Sequence, residues 1–314
     1  MVTAAPGPAA WQHPPNQLDR SAWQQLYPFA SHFHNRRGMA YHYLDEGSGP
    51  PVLMVHGNPT WSFYYRELVK ALRRDHRVIV PDHMGCGFSA SPTVHQYGYR
   101  LADRVADLAA LMDDLAPAGP LTLVVHDWGG MIGMAWALRH PQRIGRVVVL
   151  NTAAFLPPAG KPIPRRLKII RNIAPFAVPA VLGLNLFARA ATVMATRKGL
   201  APAVRAGLLA PYHNRRHRLA TLKFVQDIPL VPGDPSYGLV KRADDALARL
   251  AHIPTLICWG LGDFVFDGDY LAEWRRRRPA AEVHVFEDAG HYVLEDAAPQ
   301  VVELVQRFLQ KNPI

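Results

Sequence analysis

Short apolar runs alternate with helical patterns along most of the chain. Hydrophobicity in these runs is continuous rather than alternating, which is typical of strands that are covered on both faces of a sheet. The predicted strands are 52–55, 78–80, 121–125, 147–150, 255–259 and 283–286. The predicted helices between and after them are 61–74, 99–115, 129–139 and 300–309. This alternation predicts an α/β fold, with a mostly parallel central sheet flanked by helices.

Two regions depart from this alternation. Residues 31–45 contain two short alternating stretches, which predict an antiparallel hairpin that leads into the sheet. The segment 152–251 has no convincing central strand, and its clearest helical patterns lie at 163–173, 184–196 and 214–226. We interpret this segment as an inserted helical cap. Ligands of open α/β sheets bind outside the carboxyl ends of the strands, so the cap would cover the site.

These patterns predict the organisation of the whole chain. A length of 314 residues is enough for one large core with an inserted subdomain. The predicted parts are an N-terminal arm (1–28), an α/β core (29–151 and 252–314) and the helical cap subdomain (152–251). Prolines in the first ten to fifteen residues favour a loose arm.

Composition narrows the class of protein. Hydrophobic residues make up 49% and charged residues 19%, the profile of a folded globular protein. The formal net charge is +10. The densest group of basic residues, the four arginines at 275–278, is typical of a solvated helix face. No nucleic-acid-binding pattern accompanies it. Two distant cysteines, Cys86 and Cys258, do not make a disulfide framework. We therefore expect a cytoplasmic protein without a signal peptide or a transmembrane segment, with peripheral membrane association left open.

The strongest chemical signal is the segment 121–130, LTLVVHDWGG. A buried strand leads into a sharp turn and then into a helix that opens with two glycines. This is the context of a nucleophile elbow, with Asp127 where hydrolases of the G-x-S-x-G type carry serine. The alternative is that Asp127 only caps the following helix, since aspartate is common at that position.

Two further strand ends complete a candidate catalytic triad. Asp263 follows the strand 255–259, and His291 follows the strand 283–286. The chain order is nucleophile, acid, histidine, which is the order that α/β-hydrolases use. Three such residues in the right order and strand context favour catalysis over coincidence.

The choice of Asp263 as the acid has two rivals, Asp267 and Asp269. Asp263 is preferred because it is nearest to the strand end, where the backbone is best fixed. Some relatives of this fold place the acid after the strand that follows the elbow helix. That position holds Asn151 and Thr152 here, and neither is a carboxylate. The acid must therefore come from the later strand.

The segment HGNPTW, residues 56–61, lies where this fold forms its oxyanion-hole loop. The Asn58 side chain, with the backbone and indole N–H groups of Trp128, would place three donors near Asp127. Such donors would bind a departing anion, for example a halide or a carboxylate. The alternative for Asn58 is an ordinary turn residue before Pro59.

A carboxylate in place of serine changes the chemistry that the elbow supports. Attack by serine on a saturated carbon would leave an ether, which water does not cleave. Attack by Asp127 leaves an ester, which is hydrolysed or expelled again as a carboxylate. Asp127 therefore indicates displacement at carbon, in halides, epoxides or strained rings.

The motifs HGNPTW, HDWGG, WGLGDFVF and EDAGHYVLED resemble those of the haloalkane dehalogenase family of α/β-hydrolases, over nearly the whole chain from about residue 30. The resemblance implies an α/β-hydrolase fold in which Asp127 is the nucleophile, His291 the base and Asp263 its orienting acid. Asn58 and Trp128 would bind the leaving anion, and neither a metal nor a cofactor is needed. Asn58 combined with the later acid marks the third dehalogenase subgroup.

Within that family the chain is similar to the β-lactone decarboxylases of bacterial long-chain olefin biosynthesis, in NTAAF (151–155), GKP (160–162) and FVQDIPL (224–230). This implies decarboxylation of a cis-3,4-dialkyl-β-lactone to a cis-alkene. It also implies assembly with a thiolase-like enzyme, a β-lactone synthetase and a reductase. Apolar cap residues would hold two alkyl tails or simply pack the cap: Ile169, Ile170, Phe176, Val178, Val181, Leu182, Leu186 and Phe187.

Three other functions stay open. Haloalkane dehalogenation uses the same triad and the same anion donors. Epoxide hydrolysis shares the HDWGG elbow but usually adds two cap tyrosines, and Tyr212 and Tyr237 lie in segments unlike that pattern. A non-enzymatic binding protein on a hydrolase scaffold predicts an eroded triad, whereas the triad here is intact.

Overall fold

A single mixed sheet of eight strands organises the chain in the computed structural model, which describes residues 11–158 and 161–314. The strands are β1 (His32–Arg36), β2 (Met39–Glu46), β3 (Pro51–Val55), β4 (Arg77–Pro81), β5 (Leu121–Asp127), β6 (Ile144–Thr152), β7 (Thr255–Gly260) and β8 (Glu282–Phe286). Their order is β1-β2-β4-β3-β5-β6-β7-β8, with parallel pairing from β4 to β8. The mostly parallel sheet predicted from the sequence is confirmed.

The N-terminal edge of the sheet is the predicted hairpin. β1 pairs antiparallel with β2, and Arg36 faces Met39 across the turn. The two turn residues, Arg37 and Gly38, both have positive φ, at 53° and 80°. A two-residue turn of this handedness matches the right-handed twist of the strands that it joins, so the hairpin is locally favoured.

Helices cover both faces of the sheet and fill the segment between β6 and β7. They are α1 (Arg66–Leu72), α2 (Leu101–Leu115), α3 (Trp128–Ala137), α4 (Arg165–Asn172), α5 (Ala174–Ala177), α6 (Leu186–Met194), α7 (Pro202–Leu209), α8 (Leu219–Gln226), α9 (Tyr237–Ala246), α10 (Gly268–Arg277), α11 (Val293–Asp296) and α12 (Ala298–Lys311). A 3-10 turn, Ser62–Tyr65, precedes α1, and a π-helical turn, Val178–Gly183, precedes α6.

The predicted helix 214–226 is shorter in the structure, where α8 begins only at Leu219. Asn214 accepts a hydrogen bond from the backbone N–H of His217, at 3.1 Å. Asparagine side chains that bond to nearby backbone favour turns over helix, which explains the later start of α8. The sequence pattern does not predict α7 and α9 in the same segment.

The central strands form the core of the molecule. Every residue of β3 and β5 is buried, which explains their continuous apolar character. α3 packs on β3, β5 and β6 and also against α2 and α9, while α1 packs against α12. Because burial removes this apolar area from water, it holds the carboxyl ends of the strands in fixed positions.

The described part of the predicted N-terminal arm packs on this core. Trp23 and Tyr27 are buried, and Trp23 lies edge-on to Trp61 with ring centroids 5.4 Å apart. His13 pairs with Met39 of β2 in an isolated bridge. Residues 11–28 are therefore attached to the sheet rather than loose. The first ten residues of the arm lie outside the described part of the chain.

Among the described residues, no single helix is long and apolar enough to cross a membrane. One pair of segments, Pro175–Gly183 and Leu186–Met194, passes this test only when taken together, and the two are bent by 73°.

Candidate active site

Asp127 ends β5 in a backbone conformation that few residues adopt, with φ +50° and ψ −126°. Strained backbone of this kind persists only where the surrounding structure holds it. The neighbouring glycines make the turn possible. A Cβ atom on Gly57 would collide with the Asp127 carboxylate, and one on Gly129 would collide with the carbonyl oxygen of Val55. The elbow predicted from HDWGG is present, and the following helix is α3.

The three predicted triad residues meet at the carboxyl edge of the sheet. His291 Nδ1 lies 2.7 Å from Asp263 Oδ2, and His291 Nε2 lies 3.9 Å from Asp127 Oδ1. All three side chains are buried. The histidine is therefore oriented by one carboxylate and faces the other, which is the arrangement of a nucleophile, a base and an orienting acid.

Burial and charge set the protonation of this group. Burial raises the pKa of Asp127 to about 6, although the positive charge of His291 and two backbone N–H groups oppose the rise. Burial lowers the pKa of His291, but the adjacent Asp263 carboxylate outweighs it, and the net pKa is raised. A protonated His291 beside an ionised Asp127 is thus favoured near neutral pH.

Asp263, rather than either rival, contacts the histidine. Asp267 and Asp269 both form ion pairs with Lys161. Asp263 Oδ1 instead accepts the backbone N–H of Val265 at 2.7 Å, which fixes its carboxylate. The preference for the carboxylate nearest to the strand end agrees with this geometry.

Asn151 is a site residue whose role the sequence does not reveal. Its Nδ2 donates to Asp263 Oδ2 at 3.0 Å, and its Oδ1 accepts the backbone N–H of Gly260 at 2.8 Å. It stands on β6, at the position where some relatives of this fold carry the acid. The only sequence signal is this position, because the contact depends on β6 and β7 being neighbours.

Two more buried side chains link the segments that carry Asp127 and His291. His126 Nε2 donates to the backbone carbonyl of His291 at 2.8 Å, and burial keeps its pKa well below the usual range, so the ring is neutral. The hydroxyl of Thr152 donates to the backbone carbonyl of Asp127. The elbow and the histidine loop are therefore joined directly.

The predicted anion donors occupy the opposite side of Asp127. The backbone N–H of Asn58 donates to Asp127 Oδ2 at 2.5 Å, and the backbone N–H of Trp128 also bonds this carboxylate. The sequence predicts that the latter N–H faces a leaving anion, whereas in the structure it serves Asp127. Asn58 Nδ2 donates to the backbone carbonyl of Thr221, at 3.2 Å. The indole N–H of Trp128 has no hydrogen-bond partner among the described residues.

A cavity of about 380 Å³ extends from Asp127 beneath the cap helices. Asn58, Asp127, Trp128 and His291 form its polar end. The remaining wall is almost entirely apolar and includes Phe155, Leu167, Ile228, Phe264, Phe266 and Tyr270. Such a cavity suits an apolar small molecule with one polar reacting group.

The cap residues predicted to hold alkyl tails divide into two groups. Six of them line the cavity: Ile169, Ile170, Phe176, Val181, Leu186 and Phe187. Val178 and Leu182 do not line the cavity and belong to a small cluster that packs the cap helices on one another. Ile170, Val181 and Phe187 belong to both the cavity wall and this cluster, so the two interpretations that the sequence leaves open, tail binding and cap packing, overlap.

The sheet order, the elbow and the histidine loop define an α/β-hydrolase. Residues 50–298 match the alpha/beta hydrolase fold family. The chain is 50% identical over 288 residues to the cis-3-alkyl-4-alkyloxetan-2-one decarboxylase of Shewanella oneidensis, covering 91% of this chain and 90% of that protein. It is 32% identical over 295 residues to a haloalkane dehalogenase of Mycolicibacterium paratuberculosis, covering 90% and 94%.

A solved structure gives the same answer for the fold. The haloalkane dehalogenase DbeA from Bradyrhizobium elkani superposes with a TM-score of 0.79 at 25% identity, over 90% of this chain and 98% of that one. The chain belongs to the α/β-hydrolase family, within the group that contains cis-3-alkyl-4-alkyloxetan-2-one decarboxylases and haloalkane dehalogenases.

Proposed function

We propose that the chain decarboxylates cis-3-alkyl-4-alkyloxetan-2-ones, which are cis-3,4-dialkyl-β-lactones, to cis-alkenes and CO₂. One observation carries the proposal: a buried carboxylate stands at the nucleophile elbow, at the end of an apolar cavity. The identity of 50% to a decarboxylase of this type supports it, compared with 32% to a dehalogenase.

In the proposed site, Asp127 is the nucleophile and His291, oriented by Asp263, is its charged neighbour. The distances of 3.9 Å and 2.7 Å within this group support these roles. Asn58 and the indole of Trp128 are the proposed donors to the leaving anion. Both line the polar end of the cavity, which supports the assignment.

The first proposed step opens the lactone ring. The Asp127 carboxylate attacks the ring carbon that carries the ring oxygen, and a C–O bond forms between them. The bond from that carbon to the ring oxygen breaks, and its electron pair goes to the oxygen. The carbon is inverted, and the released carboxylate lies against Asn58 and Trp128. Donors aimed at this developing charge would lower the barrier.

The second proposed step releases the products. The bond between the neighbouring carbon and the new carboxylate breaks, and CO₂ leaves. Its electron pair forms the double bond, and Asp127 departs with the electron pair of the ester C–O bond. Inversion followed by anti expulsion returns a cis-alkene from a cis ring. No water is consumed, and no net proton is transferred.

The apolar wall gives this substrate class its binding energy. Each buried methylene contributes about 0.8 kcal/mol, so two alkyl tails would offset the loss of freedom on binding. The raised pKa of Asp127 has the same origin, since burial leaves its carboxylate poorly solvated. A poorly solvated carboxylate is a stronger nucleophile than one in water.

The same proposal covers organisation and location. The core would comprise residues 29–151 and 252–314, and the cap residues 152–251, with residues 1–28 as an N-terminal extension. We infer a cytoplasmic enzyme that works beside a thiolase-like enzyme, a β-lactone synthetase and a reductase. The support is chemical: a β-lactone must be supplied by an enzyme that closes the ring of a 3-hydroxy acid.

The test separates decarboxylation from dehalogenation, the second candidate that the 32% identity favours. Purified protein would be incubated with a cis-dialkyl-β-lactone and, separately, with 1-bromobutane, with alkene and bromide measured. We expect alkene from the lactone and little bromide. An Asp127→Ala variant is the matched blank, and it should produce neither. Bromide without alkene would replace the proposal by dehalogenation.

A further inference from the structure

The cap exposes an unusual amount of apolar surface. Of the twelve large apolar side chains that are exposed in the described part of the chain, six lie between residues 169 and 193. We call them the cap apolar face: Ile169, Ile173, Phe176, Leu184, Leu186 and Val193. Leu184 and Val193 are each 63% exposed. Exposed apolar side chains concentrated in this way mark an interaction surface.

These six side chains lie on or directly after helical segments that follow one another along the chain, from α4 to α6. The backbone N–H of Ile173 bonds the carbonyl of Ile169, and that of Phe176 bonds the carbonyl of Ile173. Leu186 and Val193 are seven residues apart on α6, so they share one side of that helix. Ile169, Phe176 and Leu186, from three of these segments, all line one cavity, which places them near one another.

The cap apolar face is continuous with the cavity of the candidate active site. Ile169, Phe176 and Leu186 are exposed to solvent, and all three also line that cavity. The rim of the entrance is therefore part of the exposed patch. Whatever covers the patch would also cover the route of an apolar ligand to Asp127.

The charge around this face has one sign. Between residues 152 and 226 the sequence contains thirteen lysines and arginines and no aspartate or glutamate. Exposed Arg165, Lys168 and Arg189 have no ion-pair partner among the residues that the structure describes. Of the cations on α4, Arg171 is neutralised by Asp234 at 2.5 Å. The surroundings of the apolar face therefore attract an anionic surface.

We propose that the cap apolar face docks on the surface of an anionic lipid bilayer, with the cavity entrance turned towards the acyl chains. Amphipathic helices with apolar and basic residues bind in this way, lying in the interface without spanning it. Basic residues near an anionic surface strengthen this binding. Binding to the bilayer does not depend on the proposed reaction. Its use, which is uptake of lactone from the bilayer and return of alkene to it, rests on the proposed function.

The experiment is co-sedimentation of the purified full chain with vesicles of phosphatidylethanolamine and phosphatidylglycerol, compared with phosphatidylcholine alone. We expect binding to the anionic vesicles that weakens as salt is raised. The apolar variant is Ile173→Ser, Leu184→Ser, Val193→Ser, whose positions do not line the cavity. It should bind the anionic vesicles at least about tenfold more weakly, because it lacks three of the six exposed apolar side chains. A tenfold loss of affinity corresponds to 1.4 kcal/mol.

Matched controls keep the readout specific. Val94→Ser with Val285→Ser removes exposed apolar side chains that lie outside the cap, and it should leave vesicle binding unchanged. Lys168→Glu with Arg189→Glu should weaken binding to anionic vesicles, whereas Arg74→Glu with Arg275→Glu, the same change of charge on the core, should have a much smaller effect. Folding of each variant is checked by its thermal unfolding transition.

Three outcomes would overturn the proposal. The first is wild-type chain that stays in the supernatant with anionic vesicles, and the second is an apolar variant that binds as the wild type does. The third is a wild-type dimer and a monomeric apolar variant in analytical ultracentrifugation, with neither protein binding vesicles. That result would assign the face to a second copy of the chain. Vesicle binding is measured without substrate, so a failure of the proposed reaction would not affect this result.

Discussion

Asn151 donates a hydrogen bond to Asp263 across the carboxyl ends of neighbouring strands, at 3.0 Å. The oxygen that accepts it, Oδ2, is also the one that lies 2.7 Å from His291 Nδ1. Asn151 therefore holds the Asp263 carboxylate from the position where some relatives of this fold carry the acid itself. Supporting hydrogen bonds of this kind fix the geometry of catalytic groups.

Replacement of Asn151 by alanine should lower kcat by about 10- to 100-fold, the loss expected when a hydrogen bond to a charged group is removed. KM should change little, because Asn151 does not line the cavity. Steady-state kinetics with a β-lactone would measure both.

A double-mutant cycle with Asp263→Ala distinguishes an effect through Asp263 from a loss of activity caused by unfolding. If Asn151 acts through Asp263, its replacement should have little further effect once that carboxylate is gone. Equal losses in the presence and absence of Asp263 would show that Asn151 acts elsewhere.

Asp127 should make the folded state less stable at neutral pH than at acid pH. Its pKa is about 6 in the folded protein, against an ordinary value of 3.8, so the folded state binds the proton more tightly. Stability contributed by this group is therefore highest at low pH and is lost as pH rises from 3.8 to about 6. The full penalty above that range is on the order of 3 kcal/mol.

The variant Asp127→Asn removes this titration and should also abolish turnover. Its advantage in unfolding free energy over the wild type should be larger at pH 8 than at pH 5, by about 1–2 kcal/mol. Weaker attraction for protonated His291 in the variant acts in the same direction. Urea denaturation of both proteins at the two pH values is the measurement. An advantage that is constant with pH would contradict the prediction.

The variants Trp128→Phe and Asn58→Ala test the leaving-anion site. Each should lower kcat by about 10²–10³, the usual loss for one such donor. Trp128→Phe removes the indole N–H and part of the ring but keeps an aromatic side chain against Phe224, whose centroid lies 5.3 Å from that of Trp128. Met131→Leu, a conservative change in the same cavity, is the control and should be close to wild type. Normal rates in both donor variants would place the anion elsewhere.

The sheet could be predicted from the sequence because its strands are buried on both faces and read as continuous apolar runs. β5 illustrates this, since all of its residues are buried and the elbow follows directly. α7 and α9 could not be predicted in the same way. Both lie between β6 and β7, where packing on other helices, α6 for α7 and α3 for α9, rather than a strong local pattern decides the structure.

The candidate site divides along the same line. The meeting of Asp127, Asp263 and His291 could be predicted because each lies at or after the end of a recognisable strand. The order of these strands along the chain is visible in the sequence. The bond from Asn58 to Thr221 could not, because these residues are 163 apart and meet only when the cap is in place. Contacts across elements depend on which elements are neighbours, and the linear pattern does not contain that information.

The variant His291→Gln separates the two chemistries of this family. In a dehalogenase, the ester on Asp127 persists until the histidine activates water, so loss of the histidine traps the ester. In the proposed decarboxylation, departing CO₂ expels Asp127 without water. His291, 3.9 Å from Asp127, would then act only through its position and charge.

We therefore expect His291→Gln to turn over a β-lactone more slowly and to accumulate no adduct. Intact-mass spectrometry after incubation with the lactone is the measurement. A stoichiometric adduct with the mass of the whole lactone, stable for hours, would rule out water-free expulsion. Incubation of the same variant with 1-bromobutane is the control, since any alkyl ester formed from it has no carboxylate to expel Asp127.

Isotope labelling of the wild-type chain gives an independent result. Hydrolysis of an ester on Asp127 in H₂¹⁸O would place ¹⁸O in that side chain over many turnovers. Expulsion of the intact carboxylate leaves both of its original oxygens in place, because the C–O bond that breaks is the one to the substrate carbon. We expect no label in the peptide that contains Asp127 after many turnovers of β-lactone, and label at that position would show that water enters the reaction.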